Sequence, residues 1–347
     1  MNRMAFIFPA VKGIQAGRAY YVSMVPLEVI PRIFQFSDES LPPENRSQRV
    51  LNRTRIPEIR DYILNNPDSY VFSALTVSVD GEIKFVAAEE NDSYLGHIEI
   101  PMNARLLIND GQHRQAAIEE AVRKNPRLKD EHISVVFFRD EGLLRSQQMF
   151  SDLNRFAIRP TKSINILFNS REESSVIAKK VAEQVPAFKG HTEKEKTTLS
   201  NRAKALFTLS AICTATEELL KGIDKDIEAK TDLAVQFWTQ VASHIPGWNE
   251  ACSGRVKASE LRRDSICTFS ITLIALGYGG NALMKESPES WEQRLGALDG
   301  IDWGKQNPTW ENLVFINGKV AANRSTQRAM SSYMRSLMTG NVSENNA

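Results

Sequence analysis

Only three cysteines occur in 347 residues, Cys213, Cys252 and Cys267. They lie far apart with no C-x-x-C spacing, so neither a disulfide framework nor a zinc site is signalled, and a reducing compartment fits. His97, His132, His191 and His244 are scattered with no cysteine at ligand spacing, and no metal centre is expected. No window approaches 18 uncharged apolar residues. The most apolar stretch, Ile266 to Tyr278, still carries Thr268, Ser270 and Thr272, so no membrane partner is expected. The apolar run near the N-terminus stops at Pro9 after about seven residues, too short for a secretory leader, and reads as a first strand. Charge of one sign is missing too. With 43 basic and 42 acidic residues the net charge is +1, so any polyanion must be held by a local patch rather than a whole-molecule field. Neither Gly277 nor Gly279-Gly280 is followed by Lys-Ser or Lys-Thr, which excludes a P-loop ATPase. A Gly-x-Ser-x-Gly elbow, a zinc motif that pairs His-x-Glu with Cys-x-x-Cys, and a helix-turn-helix string are absent as well.

What is present is enough apolar surface for two cores: 42% hydrophobic residues, with 16 Phe, 7 Tyr and 5 Trp. The pattern along the chain predicts an α+β protein, with a mixed-sheet domain over 1–160 followed by a mostly α-helical domain over 161–347. Tyr20 to Val25 reads as a strand, and Leu27 to Phe34 as a short helix interrupted at Pro31. Ile56, Ile59 and Ile63 mark an amphipathic helix in the stretch from Asn52. Tyr70 to Val79 is the strongest strand signal, and Asp80-Gly81 predicts a hairpin into Glu82 to Val86. Arg105 to Ile108 and Ile133 to Phe138 are strands, separated by a helix over Gln112 to Lys124 with an apolar stripe of Ala117, Ile118, Ala121 and Val122. A helix from Glu141 carries Leu143, Phe150 and Leu153 on one face. Beyond Pro160 the periodicity is helical, at Leu199, Ala203, Leu206 and Cys213; at Phe237, Trp238 and Val241; through Ser265 to Leu276; and at Met330, Tyr333, Met334 and Leu337. The five tryptophans fall in this half at irregular intervals, as core residues do.

Chemistry concentrates in Asp110-Gly111-Gln112-His113-Arg114, at a strand-to-helix turn. Glycine lets backbone approach a ligand, free N–H groups of the first helical turn point outward, and arginine offers a fork matched to phosphate oxygens. His113 is able to carry a proton near neutrality, and Asp110 to hold a metal or cap the helix. Asn154-Arg155 either lines the same pocket or caps its helix. Two basic clusters stand apart from the turn: Arg46, Arg49, Arg53, Arg55 and Arg60, and Lys319, Arg324, Arg328 and Arg335. They are solvated helix faces or contacts to DNA phosphates.

The pentapeptide Asp110 to Arg114 followed by Ala117, the block Gln148 to Arg155, and the regions Asp302-Trp303, Trp310 to Phe315 and Asn323 to Thr326 resemble the DGQHR-domain family over nearly the whole chain, and within it the DndB family. That family is encoded with the machinery that replaces a non-bridging phosphate oxygen of DNA by sulfur. The resemblance implies a cytoplasmic repressor of the modification genes that binds double-stranded DNA upstream of its own operon. A promoter with two half-sites adds the expectation of a homo-oligomer. The order of helix, strand, Gly-x-His-Arg turn and helix is also similar to the ParB and sulfiredoxin fold. There the turn binds nucleotide phosphates, which implies a cradle of Gly111, His113 and Arg114 with Arg53 as a second cation. Gln112 stands where sulfiredoxin has its cysteine, so that repair chemistry lacks its nucleophile. The alternative function is a ParB-like enzyme that binds nucleotide with Mg2+ and hydrolyses it, or nicks DNA, with Asp110 on the metal.

Overall fold

The computed structural model describes residues 4–34, 51–90, 93–155, 159–200 and 202–340. The chain divides into two compact units, Met1–Ile158 and Arg159–Ala347. The first is a mixed sheet with helices and the second is mainly helical, the α+β organisation that the patterning predicts.

The first unit opens with β1 (Ala5–Gln15) and β2 (Arg18–Pro26), an antiparallel hairpin. Its two-residue loop, Ala16-Gly17, takes φ of 50° and 75°, the left-handed pair whose twist matches the flanking strands. α1 (Ile30–Ile33) carries Pro31 in its first turn. The proline starts this helix and does not interrupt it, because a first-turn N–H has no partner to lose. A 3-10 turn at Arg53–Arg55, capped by Asn52, leads into α2 (Ile56–Asn65), whose Ile56 and Ile63 are buried. Next come β3 (Leu75–Asp80), β4 (Lys84–Ala87), β5 (Leu95–Pro101) and β6 (Arg105–Asp110), then α3 (Gln112–Lys124), β7 (His132–Arg139) and α4 (Leu143–Arg155).

The seven strands are ordered β4-β5-β1-β2-β7-β3-β6, with β3 and β7 parallel and the other neighbours antiparallel. The Asp80-Gly81 hairpin does not form. β3 is flanked on both sides by β7 and β6, so β4 pairs with β5 at the other end of the order. Five strand spacings across a flat sheet would be about 24 Å. The four peptide units from Asp80 to Lys84 reach at most about 15 Å. The sheet is therefore coiled, which also lets Tyr21 of β2 stack on Phe85 of β4 with ring centroids 5.8 Å apart. β3 is buried over its first five residues, and its strand is shorter than the Tyr70–Val79 run. Residues ahead of Leu75 form side-chain bonds instead of a ladder: Tyr70 Oη donates to Glu131, and the Ser73 carbonyl accepts from Arg114. α4 turns Ser146 and Met149 inward and leaves Leu143 and Leu153 about 40% exposed. Its apolar residues thus do not share one buried face, since Met149 is drawn to the sheet by Asn109.

The second unit contains α5 (Lys162–Phe168), α6 (Glu173–Gln184), the two-residue strands β8 (Thr192–Glu193) and β9 (Phe207–Thr208), α7 (Leu209–Leu220), α8 (Ile227–Ser243), α9 (Pro246–Cys252), α10 (Ala258–Asp264), α11 (Ser270–Glu286), α12 (Trp291–Arg294), β10 (Phe315–Ile316), β11 (Lys319–Val320) and α13 (Arg324–Thr339). α11 is apolar on most sides and runs through the core. A Cβ on its Gly277 would lie 2.1 Å from the Ala215 carbonyl oxygen of α7, so only glycine allows that approach. All five tryptophans are buried in this core. The periodicity over Leu199 to Leu206 does not make a helix. The carbonyls of Ala203 and Ala205 accept from Arg262, and that of Ser200 is shared between Arg262 and the Ala203 N–H in a single turn. Nor does Ser265 begin α11: it bridges to Gly304, and the helix starts five residues on. Among the described residues no helix is long and apolar enough to cross a membrane.

Candidate anion-binding turn and arginine surfaces

β6 ends at Asp110, and Gly111 makes the turn into α3 at φ 107°. Glycine is demanded twice here. The conformation is left-handed, and a Cβ would come within 2.4 Å of Leu75 Cδ2. One helical turn later Arg114 folds back along its own helix. Its Nη2 donates to Asp110 Oδ2 at 2.6 Å, and its Nη1 donates to the Ser73 carbonyl at 2.7 Å and also to Ser73 Oγ. The arginine side chain is 15% exposed and the aspartate 45%. His113 Nε2 accepts from the Asn52 backbone N–H at 3.0 Å, which puts a neutral ring's proton on Nδ1 and ties α3 to the lead-in of α2. Asn52 in turn accepts from Thr54 N at 3.1 Å and from Thr54 Oγ1 at 2.7 Å. Gln112 Nε2 donates to the Ile108 carbonyl at 3.4 Å.

The pentapeptide is thus a joint as well as a turn. Asp110, Gly111, His113 and Arg114 are brought together with Asn52 and Ser73, two partners that neither spacing nor charge singles out. The Arg114 guanidinium already has a carboxylate and a carbonyl. A phosphate at this turn would have to displace Asp110 or be shared with it. Arg53 sits beside Asn52 in the exposed 3-10 turn. Asn154 bonds the Phe150 carbonyl of its own helix at 2.8 Å, and Arg155 is exposed at the end of α4. Among the described residues no group of three or more His, Cys, Asp or Glu side chains could hold a metal ion. Burial pushes the Cys213 thiol up to about 12 and Cys267 to about 11, so neither is a thiolate near neutrality.

The basic clusters divide by what surrounds them. Arg46 and Arg49 lie outside the described residues. Arg55 is exposed, whereas Arg60 is 17% exposed and pairs with Asp61 at 2.8 Å and Glu120 at 2.9 Å, which raises its pKa. Lys319, Arg324 and Arg328 are exposed, and no ion pair holds them among the described residues. Arg335, on the same helix as the last two, pairs with Glu286 of α11 at 2.9 Å. α13 itself contains no acidic residue.

A sequence model of DndB, described as DNA-sulfur modification-associated, matches residues 8–340. The chain belongs to the DndB family. No curated protein and no solved structure matches it. The DndB match takes in both units, so the turn, the Arg53–Arg55 segment and α13 all lie within the family's extent. Involvement in DNA sulfur modification follows at that level.

A cavity of about 340 Å³ in the first unit of this DndB protein is lined by Arg18, Arg139 and Arg145 with Tyr21, Phe138 and Met149. Arg18 pairs there with Glu141 at 3.1 Å. Its lining residues come from β2, the 82–83 crossing, β7 and α4, and no sequence motif links them. Only the coiled sheet brings them together. Beside it Asn109, 1% exposed, donates to Ser78 Oγ at 2.9 Å and Met149 Sδ at 3.0 Å, while its Oδ1 has no partner among the described residues.

Proposed function

We propose that this DndB protein is a DNA-binding repressor of the phosphorothioate modification genes, acting as a cytoplasmic homo-oligomer on double-stranded DNA upstream of its own operon. The observation that carries the reading is α13. It presents Arg324 and Arg328 one turn apart, exposed and held by no ion pair among the described residues, with exposed Lys319 five residues ahead of Arg324 and no carboxylate on the helix. Such a face gains affinity by releasing counterions from DNA phosphates. Arg53 and Arg55 form a second exposed basic segment. Sequence preference would then come from neighbouring polar side chains at base edges. The DGQHR turn serves the fold in this reading, because Arg114 is held by Asp110 and Ser73. Nucleotide hydrolysis would need that guanidinium released, and no geometry of the turn favours it.

The test is a salt series of gel shifts comparing the upstream region of the operon with a scrambled duplex. Tighter binding to the upstream region at every salt concentration, with affinity falling steeply as salt rises, is expected. Equal affinity for the two duplexes would defeat sequence-specific repression.

A further inference from the structure

The cavity of about 340 Å³ in the first unit gathers three arginines, Arg18, Arg139 and Arg145. Arg18 begins β2 and pairs with Glu141 at 3.1 Å. Arg139 ends β7 and is exposed, whereas Arg145 lies in the first turn of α4 and is half-buried. Neither the Arg139 nor the Arg145 guanidinium has a hydrogen bond or ion pair among the described residues. Unlike the sealed Nε of Arg262, the Arg145 nitrogens stay accessible. Arg145 is also a cation at the positive end of a 13-residue helix, an unfavourable place unless an anion sits nearby. Asp140 gives its Oδ1 to the Gly142 N–H at 2.9 Å and the Ser146 hydroxyl at 3.3 Å, and it does not line the cavity. With Glu141 turned to Arg18, Glu82 is the one acid on the lining left to balance Arg139 and Arg145. A concave site with surplus cations focuses its field on an incoming anion.

The rest of the lining is mostly apolar, from Tyr21, Ile83, Phe138 and Met149. Its two rings are held in place, Tyr21 by stacking on Phe85 and Phe138 by stacking on Tyr20 with centroids 5.6 Å apart. The volume is that of a small-molecule site. A double helix, whose major groove alone is about 12 Å wide, does not enter it. The occupant therefore joins an anionic group to a compact apolar body.

We propose that this cavity binds a nucleoside monophosphate, with its phosphate on Arg139 and Arg145 and its base on the apolar side chains. Two guanidinium forks match the several oxygens of a phosphate, whereas a fatty carboxylate would occupy only one. A flat base stacks on aromatic rings and on guanidinium planes, both of which the lining offers. Inorganic phosphate alone would leave the apolar part unused. The nucleotide is either free or the 5′-phosphorylated end of a DNA strand. The site shares no residue with the Asp110–Arg114 turn or with α13, and it does not rest on the repressor reading.

The test is calorimetric titration of the full-length protein with dAMP, deoxyadenosine, inorganic phosphate and octanoate. dAMP is expected to bind more tightly than each of the other three by about tenfold or more. Arg145→Met keeps the stem and removes the charge. Because that guanidinium bonds nothing within the chain, the variant should fold with a melting temperature equal to or above the wild type's. Its dAMP affinity should fall by about tenfold. Arg139→Gln, at an exposed position, should lower dAMP affinity in the same way and serves if Arg145→Met fails to fold. Competition by a 5′-phosphorylated single strand forms the second arm: displacement of dAMP identifies a strand end as the source, and no displacement identifies free nucleotide. Absence of dAMP binding by the wild type, unchanged affinity in the variants, or phosphate or octanoate binding as tightly as dAMP overturns the site. Gel shifts on duplex DNA report on α13 separately, so none of these results decides the repressor reading.

Discussion

Gly111 is the residue on which the turn depends. Its φ of 107° and the 2.4 Å approach of Leu75 to a hypothetical Cβ act together, so Gly111→Ala strains the backbone and displaces a core leucine of β3 at once. A loss of about 1–3 kcal/mol in the stability of the first unit is expected, read as a lower urea midpoint. An unchanged midpoint would show that β6 and α3 tolerate a different turn. Around this glycine the polar residues satisfy one another. Asp110 neutralises Arg114, Arg114 closes the carbonyl of Ser73 that no β-ladder serves, and His113 accepts the N–H of Asn52. Together they tie the turn to two chain segments, 41 and 61 residues before it. The signature residues therefore have a structural task whether or not an anion visits them.

At the scale of elements, α13 is where the DNA-binding reading is most exposed to failure. Asn323 accepts from Ser325 N and Thr326 N while Thr326 Oγ1 accepts from Asn323 N, a reciprocal cap that fixes the start of the helix. Met330, Met334 and Met338 bury its inner face, and a Cβ at Gly279 of α11 would meet Met338 Sδ at 2.7 Å. Arg324 and Arg328 are outside this packing, so replacing both with alanine should leave folding intact. In gel shifts the double variant should weaken binding to all duplexes, and the slope of log affinity against log salt should shrink by about two, close to one for each phosphate contact removed. A slope identical to that of the wild type would move the DNA interface away from α13. Arg335 and Arg60 are poor choices for the same experiment, because their loss would strip Glu286 or Glu120 of a partner and confuse binding with stability.

For the whole molecule, surface electrostatics set the response to acid. Hydrogen bonds from Arg60 to Asp61, Lys84 to Glu99 and Arg263 to Asp264 hold all three carboxyls below their ordinary values of 3.8, 4.5 and 3.8. The folded chain thus binds protons at these sites less readily than the unfolded chain. Their stabilisation is complete above those ordinary values and is lost as the pH falls through them toward the depressed folded values. Urea midpoints should therefore hold between pH 7 and the ordinary carboxylate range and decline below it. Asp264 is exposed and Asp61 and Glu99 are half-buried at the surface, so added salt should blunt the decline. A midpoint that stays constant down to pH 3 would mean these pairs add nothing to folding.

Taken alone, the amino-acid order determined the α+β class, the division into a strand-rich and a helix-rich half, the Asp110–Arg114 turn and the family. Those follow from local periodicity, from a glycine placed where a strand becomes a helix, and from motif identity. Strand partners were not legible: Asp80-Gly81 reads as a hairpin, but whether β4 joins β3 depends on which strands already occupy both sides of β3. Helix limits were also misread where a distant side chain intervenes, as Arg262 does for the carbonyls between Ser200 and Ala205. Only the tertiary structure separated Arg324 and Arg328 from Arg60 and Arg335, since pairing depends on carboxylates that approach from other elements. It alone placed Arg18, Arg139 and Arg145 around one cavity. A guanidinium without a counter-charge leaves no trace in hydrophobic pattern or composition, because its lack of a partner is a property of everything folded around it.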